Sequence, residues 1–362
     1  MTPQGPIWFS GQGQPQRPRK EELRIVLLGK TGDGKSSAGN IILNDRVFPT
    51  KSSRNSVTDQ CVTVSGVTQG RPLKVTDTLG FFDTDRPDGI PKRELVRCIT
   101  HCDPGVHAFL IVLKVGTYTK QEMEVVQKIE RSFGEDALKY SVVLFTRGDQ
   151  LNDGQTIEDF VGESEELQEL VDKCGGRCHV IDNKYWNQQQ DEFRNNSVEI
   201  QKLLGTIEAM LRENGGNYYT NELLQMIEED RGNMSPDDVF KKYLKLFAGI
   251  STGVLLGAFL GVVVLVGAVA CFIRGLSDGK TDAVMVRNVA RAGAAAVATT
   301  SAGAGAGVAE TGAGISVAAG AGIAAGVVVG AAALTGAVVG GMEGYEAAEE
   351  AETGLRLRPG IE

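Results

Sequence analysis

The stretch Gly29-Lys30-Thr31-Gly32-Asp33-Gly34-Lys35-Ser36 matches G-x-x-x-x-G-K-[ST] in full, and no other stretch constrains the fold of this chain as tightly. Its flanks supply the setting such a loop needs. Leu23 to Leu28 reads as a buried strand, and Ser37 to Leu43 as the first turns of a helix. Glycines let the backbone wrap a phosphate with its N–H groups inward, and the helix N-terminus adds positive potential. In this reading Gly29, Lys30, Gly32, Asp33, Gly34, Lys35 and Ser37 line the phosphates. Lys35 reaches the β- and γ-phosphates, and the Ser36 hydroxyl ligates Mg²⁺. The expected fold class is α/β, a doubly wound sheet with the phosphate loop at a strand end.

Further strand ends carry matching signals. Leu73 and Val75 lead into Asp77-Thr78-Leu79-Gly80, a D-x-x-G motif. Asp77 is positioned to orient Mg²⁺ through water, and the Gly80 amide to meet a γ-phosphate. The polar stretch from Lys51 to Gln60 suits a switch loop. Thr58 is the chosen hydroxyl for the Mg²⁺ shell, with Thr50 and Ser56 as rivals. Ser141 to Phe145 reads as a buried strand ending in Thr146-Arg147-Gly148-Asp149, close to [NT]-K-x-D. A carboxylate at Asp149 accepts from guanine N1–H and N2–H₂, donors that adenine lacks. Arg147 offers a flat guanidinium to the purine. His179 to Lys184 ends a further strand and brings Asn183 to the base edge.

Taken in order, these segments resemble the immunity-associated GTPases, the GIMAP family of septin-like GTPases. The resemblance runs from about Leu23 to Leu223. It is carried by Leu28 to Leu43, by Ser56-Val57-Thr58-Asp59-Gln60-Cys61, by Asp77 to Thr84, by the box Pro104 to Thr119 and by Tyr219-Thr220-Asn221. It implies a guanine-nucleotide domain that binds GTP or GDP with Mg²⁺ and pairs through its nucleotide face, with itself or with related GTPases. It also implies attachment to intracellular membranes, weak intrinsic hydrolysis and a role in immunity. Two positions depart from the family. Leu79 stands where Pro is common, and Thr117 where many members carry an Arg able to act across a dimer. A catalytic Arg must then come from elsewhere, with Arg86, Arg93 and Arg97 as candidates.

The residues after Gly80 are Phe81 and Phe82, and neither ring can orient a water by hydrogen bonding. Gln60 is the alternative. The expected enzyme is therefore a GTPase, slow as a monomer, with Lys35, Thr58 and Gly80 serving the reaction. Two other readings are a GTP-gated scaffold without useful turnover and a GTPase-controlled pore. Phe81 and Phe82 also suit a hydrophobic anchor for the second switch. His107 lies beside an apolar strand and reads as a buried, hydrogen-bonded residue.

A chain of 362 residues has room for about two domains. Its net charge of −9 argues against a nucleic-acid partner. The six cysteines are scattered, as reduced intracellular thiols are. Two local Cys/His clusters, Cys98 to Cys102 and Cys174 to His179, have plausible spacing but neither completes a zinc site.

After residue 246 the composition turns to Ala, Gly and Val. The run 247–273 lacks charge and is long enough to cross a bilayer as one helix. Gly253, Gly257 and Gly261 form a stripe suited to close helix packing. A second uncharged run covers 311–342, and a membrane hairpin between the two runs is expected. Arg274, Lys280, Arg287 and Arg291 between them conflict with the positive-inside tendency, which leaves the topology open. The expected layout is a disordered tail over 1–22, the nucleotide domain over 23–214 and a helical linker over 215–246. A membrane region over 247–342 and an acidic tail over 343–362 follow. The implied location is the cytosolic face of an intracellular membrane.

Overall fold

The structure, a computed structural model, describes residues 21–50, 60–82, 91–118, 120–186, 194–248, 250 and 252–277. The chain opens with β1 (Leu23–Leu28), α1 (Lys35–Leu43), β2 (Val62–Thr68), β3 (Arg71–Asp77), α2 (Lys92–His101) and β4 (Ala108–Lys114). Then come α3 (Lys120–Ser132), α4 (Glu135–Leu138), β5 (Ser141–Thr146), α5 (Ile157–Gly162), α6 (Glu165–Lys173) and β6 (Cys178–Val180). The last described elements are α7 (Asn196–Glu213), α8 (Glu222–Arg231), α9 (Pro236–Leu246), α10 (Thr252–Phe259) and α11 (Val263–Ser277).

The strands form one sheet in the order β2-β3-β1-β4-β5-β6. All neighbours are parallel except β2, which returns antiparallel to β3 at the edge. Strand parity splits the core in two. Leu23, Ile25 and Leu27 face one layer with Ala38 and Ile42 of α1 and Leu203, Ile207 and Met210 of α7. Val26 and Leu28 face the opposite layer, which holds α2, α3, α8, α9, α10 and α11. The chain leaves β1 on one side for β3 and on the other for β4, so the carboxyl ends of these strands open a crevice at the switch point.

The residues expected to form a linker, 215–246, make two helices that join the core. α8 is capped by Asn221, whose side chain accepts from Leu224 N–H. α9 starts at Ser235 with Pro236 in its first turn, an arrangement suited to a helix start. Val239, Tyr243 and Leu246 of α9 are buried in the same cluster as Leu95 and Ile99 of α2.

The uncharged run 247–273 differs from the expected single span. It breaks into α10 and α11, bent by 110°, and among the described residues no single helix is long and apolar enough to cross a membrane. The bend falls at Gly261, with φ +80. Leu255, Phe259 and Leu260 are fully buried on the domain. Burial of each such side chain contributes about 1.5–3 kcal/mol. The Phe259 ring meets Phe109 of β4 edge-on at 5.9 Å. Polar bonds fix the seat. Tyr219 Oη donates to Phe259 O (3.0 Å), Asn221 Nδ2 to Ala258 O (3.0 Å) and Gly134 N–H to Leu260 O (2.8 Å). Lys92 of α2 donates to Ala248 O, and Arg274 pairs with Glu222 at 2.6 Å. The glycine stripe works within this hairpin: a Cβ on Gly257 would come 2.4 Å from Leu265 Cδ1. The second uncharged run, 311–342, lies outside the described residues.

Candidate functional site

The phosphate loop hangs between the end of β1 and the start of α1. Its shape requires glycine where the chain turns. Gly29 has φ +154, and a Cβ there would come 2.4 Å from Val112 O of β4. Gly34 has φ +89, and a Cβ there would come 2.6 Å from Asn183 Nδ2. Gly34 is also the N-cap of α1, so the helix begins at Lys35 with its amides turned to the loop. Lys35 is buried, and its Nζ donates to Gly29 O (3.1 Å) and Lys30 O (2.9 Å), arching over the loop.

Ser36 Oγ donates to Asp77 Oδ2 at 2.6 Å, which joins the helix start to the end of β3. Asp77 is buried, and burial raises its carboxyl above the usual range, against the Ser36 hydrogen bond and the Lys35 charge. Its Oδ1 is buried with no hydrogen-bond partner among the described residues. A hydroxyl beside a carboxylate with an oxygen to spare is a hard oxygen donor set, which fits Mg²⁺. Thr58, also assigned to Mg²⁺, lies outside the described residues, as does its rival Ser56. Thr50 is exposed, and Gly80 is buried at the end of the D-x-x-G turn.

The residues expected at the base are built on β5 and β6. Thr146 Oγ1 donates to Asp33 O at 2.7 Å, tying the end of β5 to the phosphate loop. Arg147 follows in the left-handed region (φ 60) with its side chain exposed, and Gly148 to Gln150 form one 3-10 turn that carries Asp149. Trp186 packs on this turn so closely that a Cβ on Gly148 would come 2.5 Å from its ring. Asn183 lies against Gly34, and its buried Oδ1 has no hydrogen-bond partner among the described residues. An unpaired acceptor here, with the Asp149 carboxylate on the neighbouring turn, fits a base edge rich in donors.

Sequence reasoning missed the residues that hold this pocket in shape. Asp182 is almost fully buried, and its Oδ1 accepts from the N–H groups of Lys184 (2.9 Å), Trp186 (3.3 Å) and Tyr185. Burial alone would raise its carboxyl; these donors and the Asp149 contact bring it below the usual range. Asn196, at the start of α7, accepts from Asp182 N–H (3.0 Å) and donates to Asp182 O (2.7 Å). An Asp one residue before Asn183, at the end of an apolar strand, was the available signal.

The catalytic candidates scatter. Phe81 and Phe82 point into the core, where Phe82 stacks on Phe133 at 6.4 Å. Arg93 and Arg97 lie over the Phe240 ring of α9 at 5.7 and 5.6 Å. Arg97 also reaches Glu94 (3.3 Å) and Gln60 Oε1 (3.4 Å). Arg86 lies outside the described residues, and Thr117 is exposed beyond β4. His107 Nδ1 accepts from Arg24 N–H at 3.0 Å. Burial, with Arg24 and Arg71 nearby, pushes its imidazole down to about 3, so it stays neutral. Cys61, Cys98, Cys102, Cys174 and Cys178 are buried free thiols, and among the described residues no three His, Cys, Asp or Glu are grouped to hold a metal.

A G-x-x-x-x-G-K-S loop between β1 and α1, a D-x-x-G turn after β3 and an Asp-bearing turn after β5, hung from one sheet in this chain order, is the plan of the P-loop GTPases. The model described as the AIG1 family matches residues 23–237, and the chain belongs to that family. Immune-associated nucleotide-binding protein 8 of Arabidopsis thaliana is 38% identical over 211 residues, covering 57% of this chain and 58% of that protein. GTPase IMAP family member 8 of Homo sapiens is 32% identical over 200 residues, covering 55% of this chain and 29% of that protein. The chain thus spans less than two thirds of the length of either. Among solved structures, Toc33 from Arabidopsis thaliana in complex with GDP and Mg²⁺ is similar at 18% identity and a TM-score of 0.40, covering 52% of this chain and 84% of that one.

Proposed function

We propose that this protein binds GTP and GDP with Mg²⁺ and works as a slow GTPase switch that pairs with a second copy, or with a related GTPase, in its GTP state. The observation that carries the reading is the pair of buried unpaired oxygens, Asp77 Oδ1 and Asn183 Oδ1, whose side chains meet Ser36 and Gly34 on either side of the loop-gripping Lys35. Ser36 and Asp77 would hold Mg²⁺, with Thr58 as the third group; the ion supplies charge neutralisation on the phosphates. Lys35 and the loop amides bind and orient the phosphates. Asp149, Asn183 and Arg147 orient the base.

Slow turnover is favoured because the side chains after Gly80 are buried rings and the arginines of α2 are engaged by α9. Membrane attachment, on the cytosolic face of an intracellular membrane, is assigned to the uncharged run 311–342. The seat of α10 and α11 on the domain favours 311–342 over 247–273 for that part.

The test uses the full chain in detergent. Fluorescent GTP should be displaced by GDP and GTP and not by ATP. Asp149→Asn should cut the preference for guanine by about 100-fold and admit xanthine nucleotides. ATP competing as well as GTP would sink the base assignment. A dimer seen only with a non-hydrolysable GTP analogue, with turnover per molecule rising with concentration, is the result expected of a switch. A dimer without turnover would favour the scaffold.

A further inference from the structure

A loop that receives polyphosphate gains nothing from a negative charge of its own, yet this one contains Asp33. The side chain is not turned out to solvent: the residue is only 6% exposed. Its backbone is fixed at both ends. Asp33 N–H donates to Lys30 O (3.3 Å), and Asp33 O accepts from Thr146 Oγ1 (2.7 Å). Its carboxylate takes the Lys30 N–H and lies near three cations: Lys35 and Lys30 of the loop and Lys114 at the end of β4. Tyr118, after β4, and Glu122 of α3 face the same space.

Two of those three cations also have other partners. Lys35 Nζ is held by two loop carbonyls, and Lys114 Nζ pairs with Glu122 at 3.2 Å. The position therefore holds a buried carboxylate that shares two of its three nearby cations, in a loop built for anions.

We propose that the Asp33 carboxylate is an electrostatic brake on nucleotide binding, a resident negative charge that makes the loop's grip on phosphate proton-dependent. This rests on the nucleotide reading of the same loop. Burial pushes the Asp33 carboxyl up to about 6, against the pull of Lys35, Lys114 and Lys30. Bound phosphates draw Lys35 toward themselves and add negative charge beside Asp33, so both effects favour its protonated form. The sign follows from linkage. A group with a higher pKa in the complex favours binding below its free pKa and loses that contribution as pH rises through its bound pKa. A displacement of one pKa unit corresponds to about tenfold in affinity.

The experiment measures binding of a fluorescent GDP, with Mg²⁺, to the full chain in detergent from pH 5.5 to 8.5. Wild type should lose about tenfold in affinity across this range beyond any loss seen in Asp33→Asn. Asp33→Asn should bind about tenfold tighter than wild type at pH 8 and equally at pH 5.5. The comparison cancels titration of the nucleotide's own phosphate, which both proteins share. Calorimetry in two buffers of different ionisation enthalpy should show more proton uptake by wild type than by Asp33→Asn near pH 7. Asp33→Ser repeats the test with a smaller neutral side chain. Parallel pH profiles, or weaker binding by both neutral variants at pH 8, overturn the brake. A wild type that binds no guanine nucleotide at any pH removes the nucleotide reading itself, a different failure from parallel profiles.

Discussion

Two glycine patterns in this chain look equally regular and turn out to mean different things. In the phosphate loop, Gly29, Gly32 and Gly34 all have positive φ, and Gly29 and Gly34 also lie against neighbouring atoms. In the apolar run, Gly253, Gly257 and Gly261 follow each other at intervals of one helical turn. Only Gly261 needs its backbone conformation, as the corner between α10 and α11. Gly257 makes room for Leu265, and nothing stands within 4 Å of a Cβ on Gly253. The loop glycines could be read from the Lys-Ser pair and the strand beside them; Gly261 sets a backbone corner too, but it stands in an apolar run with no such neighbours to mark it.

The largest test of the first pattern is Lys35→Ala. Lys35 is the one side chain that both arches over the loop and is expected on the phosphates, so nucleotide affinity should fall by at least about 100-fold in a fluorescence titration. Unchanged affinity would undo the site. The second pattern is tested by asking its glycines separately. Gly261→Val forces a β-branched residue to φ +80 and puts a Cβ 2.6 Å from Tyr219 Oη. The expected loss is about 2–4 kcal/mol of unfolding free energy in urea, combining backbone strain and overpacking. Gly253→Ala should be neutral or stabilising by up to about 1 kcal/mol, since a helix gains from the replacement. A stripe that paired helices in a bilayer would instead be insensitive to both in urea and would lose self-association with either. A modest effect is expected of Thr146→Val, which removes the bond between β5 and the loop. It should cost about 1 kcal/mol and weaken nucleotide binding a few-fold, read in the same two assays. No change in either would mean that the loop holds its shape without β5.

The same distinction explains what was legible. The strand before Gly29, the helix from Lys35 and the position of Asp77 are local consequences of a strand–loop–helix sequence. Asp149 could be placed at a strand end because β5 is a short apolar run with a clear stop, and Asn183 because Val180 and Ile181 lead straight into a polar turn. The bonds between Asp182 and Asn196 were not legible, since they link residues 14 apart in sequence that only meet once α7 packs on the sheet. Arg93 and Arg97 looked available for catalysis, and it took α9 folding back on α2 to bring Phe240 beneath them.

The sequence by itself determined the phosphate loop, because a tight anion-binding turn is dictated by residues adjacent in the chain. Only the tertiary structure shows how α10 and α11 seat on the domain. Hydrocarbon and a protein core solvate an apolar side chain almost equally well, so composition favours both. The seat is built by a face beside α2, α8 and Phe109, and by carbonyls at Ala258, Phe259 and Leu260 that find donors in Asn221, Tyr219 and Gly134. No stretch of sequence records that face, since its residues come from β4, α2 and α8 and become a surface only when the sheet has formed.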